Sequence, residues 1–478
     1  MSKIMEIFKN TSWVMTSQII TSIFGFFWVI LIARYLGVSE FGILTFAMSF
    51  TGLMSIFMDF GISTYTTRDL SRDPELASKY FGNGISLKIF LAIFSFFVTI
   101  AILIAMVHES LTIGVTLIFA IHTIFLSMGY LFNGVIQAFG KMKYQAIGII
   151  INSSLLLAGT LFVIFTNLGI YSVAMVYLIG SLITISYLYI KSNSEIVPIK
   201  LQFDFSFWKK SVKQAIPFGL TNIFTTIYFM IDTVMLSFMK GSISVGIYSS
   251  AYKIITVFTT LYMVYNFVIF PLMSNLYKNS ANMLKISYKK SIKYLLMIIL
   301  PIAIGISYYA EPVVLLIFGS QFVLGSSVLQ VLIWNVVFIF INGASTLLLN
   351  SSNKEVAVTK INAIACVFNF ILNLVLISYF DYIGASIATV ITGLLICVIM
   401  AYIIIKSKYR PDFSLVKDMI KIIISSLILA IILYIVNLPS FIIAIPVGII
   451  TYLIAIALTK TLDSTDIGII KEIIGKKN

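Results

Sequence analysis

Charged residues are scarce in this chain of 478 residues: they make up 10% of it, whereas 60% of the residues are apolar. Soluble globular proteins carry about 25% charged and 45–50% apolar residues, so the composition excludes a water-soluble globular domain. Two histidines and two cysteines are too few for a tetrahedral metal site of ordinary spacing, a CxxC pair or a disulfide framework. Residues 134–141 resemble a phosphate-binding loop, but five residues instead of four separate its glycines, and methionine follows the lysine, which argues against ATP hydrolysis.

The sequence contains many long apolar runs. A helix that crosses a bilayer needs about 20 apolar residues, so the composition allows about fourteen spans. The runs lack the alternation of barrel strands and therefore predict an all-α polytopic membrane protein. The predicted spans are 11–33, 41–59, 80–106, 111–132, 144–165, 170–189, 211–239, 245–276, 291–309, 328–350, 356–380, 383–405, 416–436 and 441–458.

The distribution of positive charge predicts the orientation. With the N-terminus in the cytoplasm, all but four of the 32 lysines and arginines fall on the inner side. Arg34 and Lys240 lie in outer loops, and Lys88 and Lys253 lie within spans. We therefore attribute the net charge of +14 to a multi-pass protein of the cell membrane with both termini cytoplasmic, and not to a nucleic-acid partner.

Two sequence matches indicate an internal repeat. The turn after the first span, with Gly37 and Gly42, recurs after the seventh span as Gly241 and Gly246. An even number of helices in each repeat keeps both halves in the same orientation, so the pattern predicts two six-helix lobes in parallel repeat with substrate between them. A second match joins residues 172–174 to residues 386–388.

The repeat defines the predicted domains. They are an N-lobe at 1–191, a cytoplasmic amphipathic linker at 192–210, a C-lobe at 211–410, and spans 13 and 14 with a C-terminal interfacial helix at 411–478.

Two charges inside the membrane are placed symmetrically about a turn. The midpoint between Asp232 and Lys253 falls at the turn joining their spans, so antiparallel neighbours would bring both side chains to one depth. A charge at the bilayer centre costs roughly 2.5–3.5 kcal/mol on insertion scales, which favours an ion pair. This pair could hold two helices together, or it could be a gate for which an anionic substrate competes.

Further polar residues have two interpretations each. Lys88 and Lys360 could extend toward the cytoplasmic surface or face a cavity. Asn369 and Asn373 share a face of the eleventh span, where they could join helices or bind sugar hydroxyls. We place Asp59 and Arg68 at the two ends of a short inner loop, and Arg34 at the outer interface.

Several motifs together resemble the bacterial and archaeal polysaccharide flippase family, which moves lipid-linked oligosaccharides and belongs to a superfamily with multidrug-and-toxin extruders. The resemblance covers essentially the whole chain. It implies two six-helix lobes around a cavity that opens alternately to each side, with cationic side chains meeting the phosphate or pyrophosphate of a polyprenyl carrier. The matching segments are 33–37, 40–42, 59–61 with Arg68, 217–219, Asp232 with 235–236, 245–248, 251–253, 270–273, Asn369, Asn373 and 384–385.

The resemblance assigns Arg34, Asp59, Arg68, Asp232 and Lys253 to substrate binding or gating, while Lys88 and Lys360 are added because of their depth in the membrane. We therefore expect a flippase for a polyprenyl-linked oligosaccharide in cell-surface glycan synthesis. Its partners would be that lipid, membrane lipids and the glycosyltransferases or polymerase of the same pathway. No cofactor is expected, although a coupling ion, H+ or Na+, remains open.

Two other functions remain open. An ion-coupled antiporter for drugs or organic cations would need a cavity rich in carboxylates instead of lysines and arginines. A membrane glycosyltransferase or polymerase would need acid–base or metal-binding groups on a sizeable loop. Since the outer loops are only a few residues long, we do not expect an enzyme.

Overall fold

The computed structural model describes residues 3–107, 109–438, 440–463, 465, 466 and 468. These residues form fifteen α-helices and two short 3-10 helices, without a strand among them. The predicted all-α class is therefore confirmed. The predicted C-terminal interfacial helix, with its periodic isoleucines from Ile467 to Ile474, lies outside the described residues.

The helices follow one another with short connections. The first eight are α1 (Lys3–Met54), α2 (Ile56–Asp59), α3 (Ile62–Arg72), α4 (Ala77–Met106), α5 (Ser110–Ala138), α6 (Met142–Thr166), α7 (Gly169–Glu195) and α8 (Phe205–Lys240). The others are α9 (Ser242–Asn279), α10 (Ala281–Tyr308), α11 (Ala310–Phe318), α12 (Gly325–Ser351), α13 (Glu355–Ile405), α14 (Phe413–Val436) and α15 (Phe441–Leu458).

The described part of the chain contains fourteen candidate membrane spans. Twelve helical segments of the described chain are long and apolar enough to cross a membrane, and two of them each contain two predicted spans. In α1 the helix bends at Gly37, and in α13 it bends at Asp381. Each bend is made by a residue with positive φ, so the connection between two spans needs no separate loop.

The backbone confirms the repeat seen in the sequence. Gly37 has φ 73° and ψ −179°, and its counterpart Gly241 has φ 90° and ψ −179°. This conformation is open to glycine because it lacks a Cβ atom. In the second matched region, the alignment of residues 172–174 with residues 386–388 also pairs Asn167 with Asp381, and these two residues have φ of 54° and 53°.

The two glycine turns also pack against each other. A Cβ atom on Gly42 would overlap the carbonyl group of Ser242, and one on Gly246 would overlap the carbonyl group of Val38. The Oγ atoms of Ser39 and Ser242 lie 3.1 Å apart. Glycine is therefore required at these positions for the close approach of α1 to the start of α9.

The chain divides into two compact units. Unit 1 comprises Met1–Ser250 and Cys366–Ala385, and unit 2 comprises Ala251–Ala365 and Ser386–Asn478. These divisions differ from the predicted lobes at 1–191 and 211–410, which remain a prediction.

The segment after the second span corrects an expectation. Asp59 and Arg68 do not bracket a loop, because the chain breaks at Phe60 and Gly61, both with positive φ, and then forms α3. This segment is too polar to resemble a membrane span. It is helical because its side chains Tyr65 and Leu70, among others, are buried against neighbouring helices.

The predicted linker is shorter than expected, since α7 continues to Glu195 and α8 begins at Phe205. The nonhelical part lies along α4. Asn83 donates to Gln202 Oε1 at 3.0 Å and accepts from the backbone N–H of Asp204 at 2.9 Å. The linker is thus fixed to unit 1 by hydrogen bonds.

An ionic network fixes the segment after α15 in unit 2. Lys293 on α10 contacts Asp466 at 2.5 Å and Asp463 at 3.4 Å, and Lys290 binds the same two carboxylates. Asp418 on α14 lies 4.0 Å from Lys293. Lys293 is 0% exposed and Asp466 is 1% exposed, so this pair is removed from water.

Candidate functional site

Lys88 forms a buried ion pair in unit 1. Its Nζ atom lies on α4 and donates to Asp59 Oδ1 at 2.5 Å, Ser63 Oγ at 3.0 Å and the Ser127 carbonyl oxygen at 2.6 Å. An ammonium group has three donors, so all three are used. The side chain is 0% exposed, so its charge is enclosed within unit 1.

Asp59 connects this lysine to helix α3. The same Oδ1 atom accepts from the Ser63 Oγ at 2.5 Å and from the Ser63 backbone N–H at 3.3 Å. The first N–H groups of a helix have no partner within the helix. The Asp59 carboxylate satisfies one of them and so stabilises the start of α3 from outside it.

Arg68 lies on α3 beyond this pair. Its Nε and Nη2 atoms donate to Asp69 Oδ1 at 2.8 and 2.6 Å, and its guanidinium lies 4.6 Å from the Phe218 ring centre and 5.4 Å from that of Tyr65. The side chain is 35% exposed. Its other three N–H donors have no partner among the residues that the structure describes, and a guanidinium held in this way suits a phosphate oxygen.

Asp69 is kept ionised next to Arg68. Burial raises the pKa of its carboxyl, but hydrogen bonds from Arg68 and Tyr80 lower it by more, so the pKa lies below its ordinary value. The Tyr80 hydroxyl donates to Asp69 Oδ2 at 3.0 Å. The carboxylate therefore remains charged and holds the guanidinium in place.

A second polar cluster surrounds Asp232 on α8. Its carboxylate accepts from the Tyr248 hydroxyl at 2.8 Å and from Asn373 Nδ2 at 2.6 Å, while Asn373 also donates to Asn369 Oδ1 at 3.0 Å. All four residues are buried, and Asn373 Oδ1 has no hydrogen-bond partner among the described residues. Carboxylate and amide oxygens are ligands of hard cations, so this cluster is where an ion could be held. No group of three His, Cys, Asp or Glu side chains suited to a metal ion occurs in the described part of the chain.

The remaining predicted site residues lie elsewhere. Arg34 is exposed on α1, Lys360 is exposed on α13, and Lys253 lies on α9. Lys253 and Lys360 belong to unit 2, so the predicted ion pair between Asp232 and Lys253 remains a prediction. The structure brings together Asp59 with Lys88, and Asp232 with the two asparagines; the part of any of these residues in substrate binding also remains a prediction.

The pair of Asp59 and Lys88 was missed in the sequence. The two residues are 29 positions apart, and α3 lies between the end of α2 and the start of α4. The symmetry about a single turn that suggested Asp232 and Lys253 is therefore absent here.

Comparison with known proteins identifies the class to which this fold belongs. The structure superposes on the lipid II flippase MurJ in an inward closed conformation with a TM-score of 0.79 and 21% identity, over 93% of this chain and 98% of that one. This likeness concerns the fold. The chain is thus a multi-pass membrane protein with a MurJ-like fold.

The family follows from the sequence. The model of the family described as "Polysaccharide biosynthesis protein" matches residues 7–277, more than half of the chain, and the MatE model matches residues 217–375. The chain belongs to the polysaccharide biosynthesis protein family.

Two archaeal relatives are similar. The probable low-salt glycan biosynthesis flippase Agl15 of Haloferax volcanii is 22% identical over 78% of this chain and 79% of that protein. The uncharacterized membrane protein MJ1068 of Methanocaldococcus jannaschii is 32% identical, but the match covers only 26% of this chain and 24% of that protein.

Proposed function

We propose that this protein is a flippase that moves a polyprenyl-linked oligosaccharide, carried on phosphate or pyrophosphate, from the cytoplasmic to the outer leaflet. The observation that carries the proposal is membership of the polysaccharide biosynthesis family over residues 7–277. The similarity to a probable glycan flippase over 78% of the chain supports it. We further propose the cell membrane as its location, with both termini cytoplasmic, because most lysines and arginines fall on that side.

The arginine on α3 supports an anionic substrate. Arg68 is held by Asp69 and Phe218 with three N–H donors unused in the described structure, and it lies on the predicted cytoplasmic side. A fixed guanidinium loses little entropy when it binds a phosphate oxygen. We propose that Arg68 contacts the phosphate of the lipid before translocation.

We propose that an ion gradient supplies the energy for transport. The transport mechanism would be alternating access. The buried Asp232 cluster would hold the coupling ion, Na+ or H+, because its carboxylate and amide oxygens are enclosed together. No further cofactor is proposed. The glycosyltransferases and polymerase of the same pathway would supply the lipid-linked glycan and consume it, so transport without catalysis is the proposed role of this chain.

A multidrug or organic-cation antiporter is the second candidate, favoured by the MatE match at residues 217–375. Such a transporter needs a membrane carboxylate that can meet a cation. Asp59 is bound to Lys88 at 2.5 Å, so its charge is already neutralised, but Asp232 is a second carboxylate of this kind. The family match over residues 7–277 and the similarity to a probable glycan flippase make the flippase the better-supported function.

Reconstitution tests the proposal. Purified protein in liposomes is given a fluorescent polyprenyl-pyrophosphate-linked sugar in one leaflet, and a membrane-impermeant sugar-oxidising reagent reports its arrival in the other. With an imposed Na+ or proton gradient, we expect transfer well above that in protein-free liposomes. Equal rates with and without protein would contradict the proposal, and gradient-driven uptake of an organic cation instead would favour the antiporter.

A further inference from the structure

The geometry around Lys88 does not suit a group that meets the transported lipid. The ammonium is 0% exposed, and its three donors bind Asp59, Ser63 and Ser127. An incoming phosphate would have to replace these bonds beside the negative charge of Asp59. An anion that approached Lys88 would therefore find no free N–H donor on its ammonium group.

The same contacts fix the point where the chain changes direction. Asp59 ends α2, Phe60 and Gly61 have φ of 42° and 87°, and α3 starts at Ile62. Lys88 draws the Asp59 carboxylate toward α4 and binds the Ser127 carbonyl on α5. The start of α3 is thereby joined to two membrane-spanning helices.

The body of α3 is held by close packing on both sides. A Cβ atom on Gly134 of α5 would overlap Thr67, and a Cβ atom on Gly61 would overlap the backbone of Gly219 on α8. Arg68 follows Thr67 directly. A change in the position of α3 would therefore move the guanidinium away from the ring of Phe218.

We infer that Lys88 and Asp59 are positioning residues, which act on the transported lipid only through α3 and Arg68. The inference rests on the proposed function for the part played by Arg68. Without Lys88, the carboxylate of Asp59 loses its counter-charge and has to move toward water, which displaces the start of α3. When Asp59→Asn is combined with Lys88→Met, both charges are removed, and the new amide oxygen can still accept from Ser63 and cap α3.

A labelling experiment tests the positioning without any substrate. In a background with Cys366 and Cys397 replaced by alanine, cysteine is placed either at Thr66, which is buried, or at Ser71, which is exposed on the same helix. A maleimide should label Ser71→Cys rapidly and Thr66→Cys slowly. Adding Lys88→Met should speed the labelling of Thr66→Cys by at least about tenfold, and adding Asp59→Asn as well should reverse this.

Transport by the same variants completes the test. Lys88→Met should lower flipping by at least about tenfold, and Asp59→Asn with Lys88→Met should return it to within about threefold of the unmodified protein. Unchanged labelling of Thr66→Cys in Lys88→Met, or a double variant with restored labelling but no transport, would overturn the inference. If the unmodified protein transports no lipid while the labelling behaves as expected, the proposed function fails and the positioning of α3 stands.

Discussion

Replacing Asp466 with asparagine should destabilise unit 2 because it leaves a buried lysine short of a partner. Asp466 binds Lys293 at 2.5 Å and also accepts from Lys290 and the Tyr294 hydroxyl. Removing one member of a buried pair costs about 3–5 kcal/mol. Lys293 would keep Asp463 at 3.4 Å, so we expect a smaller loss, about 2–3 kcal/mol.

The assay is thermal unfolding of the purified protein in detergent. For a unit of this size the loss corresponds to a lowering of the melting temperature on the order of 5 °C. The matched control is Asp412→Asn. Asp412 also contacts a lysine at 2.5 Å, but its side chain is 69% exposed, and such pairs contribute about 0–1 kcal/mol. Equal melting temperatures for the two variants would refute the reasoning.

The difference between Asp466→Asn and the unmodified protein should depend on pH in a defined direction. Burial raises the pKa of Asp466, but hydrogen bonds from Lys290, Lys293 and Tyr294 lower it by more, so the pKa lies below its ordinary value of 3.8. A carboxyl with a lowered pKa in the folded state contributes fully above its unfolded pKa and loses this contribution as the pH falls below it. The difference in melting temperature should therefore be constant from about pH 7 to 5 and shrink below about pH 4.

Three further outcomes follow from the structure. Gly246→Ala should cost at least about 1–3 kcal/mol because its Cβ atom would overlap Val38, whereas Gly305→Ala, with open space around it, should be neutral or stabilising by up to about 1 kcal/mol in the same melting assay. Arg68→Ala should lower flipping by at least about tenfold and Arg68→Lys by less, because lysine keeps the charge but not the planar fork; equal activity of all three proteins would remove Arg68 from the site. Cysteine at Lys240 should react with an impermeant reagent added outside intact cells, and the reverse result would invert the orientation.

Much of the fold could be predicted because the membrane leaves few choices. Apolar runs of the required length must be helices. The repeat is visible in the sequence because the turns at Gly37 and Gly241 both need a residue with positive φ, which favours glycine. In α1 and α13, the apolar runs on the two sides of each bend could still be recognised in the sequence as separate spans. The order of the helices could therefore be obtained without any long-range contact.

The candidate site was harder to predict from the sequence, for physical reasons. Helix α3 has no long apolar run, and its structure depends on burial of Tyr65 and Leu70 by other helices. Lys88 looked free because its partner lies 29 positions away, at the end of α2. The network of Lys293 and Asp466 depends on the return of the segment after α15, which local sequence patterns do not specify.

The most direct test of the central claim compares two lipids in the same proteoliposomes. One carries its oligosaccharide on polyprenyl pyrophosphate, and the other carries the same oligosaccharide on an uncharged polyprenyl ether. If Arg68 selects an anionic headgroup, the protein should move the pyrophosphate lipid at least about tenfold faster than the ether. Equal rates for both lipids, or movement of neither, would contradict the account.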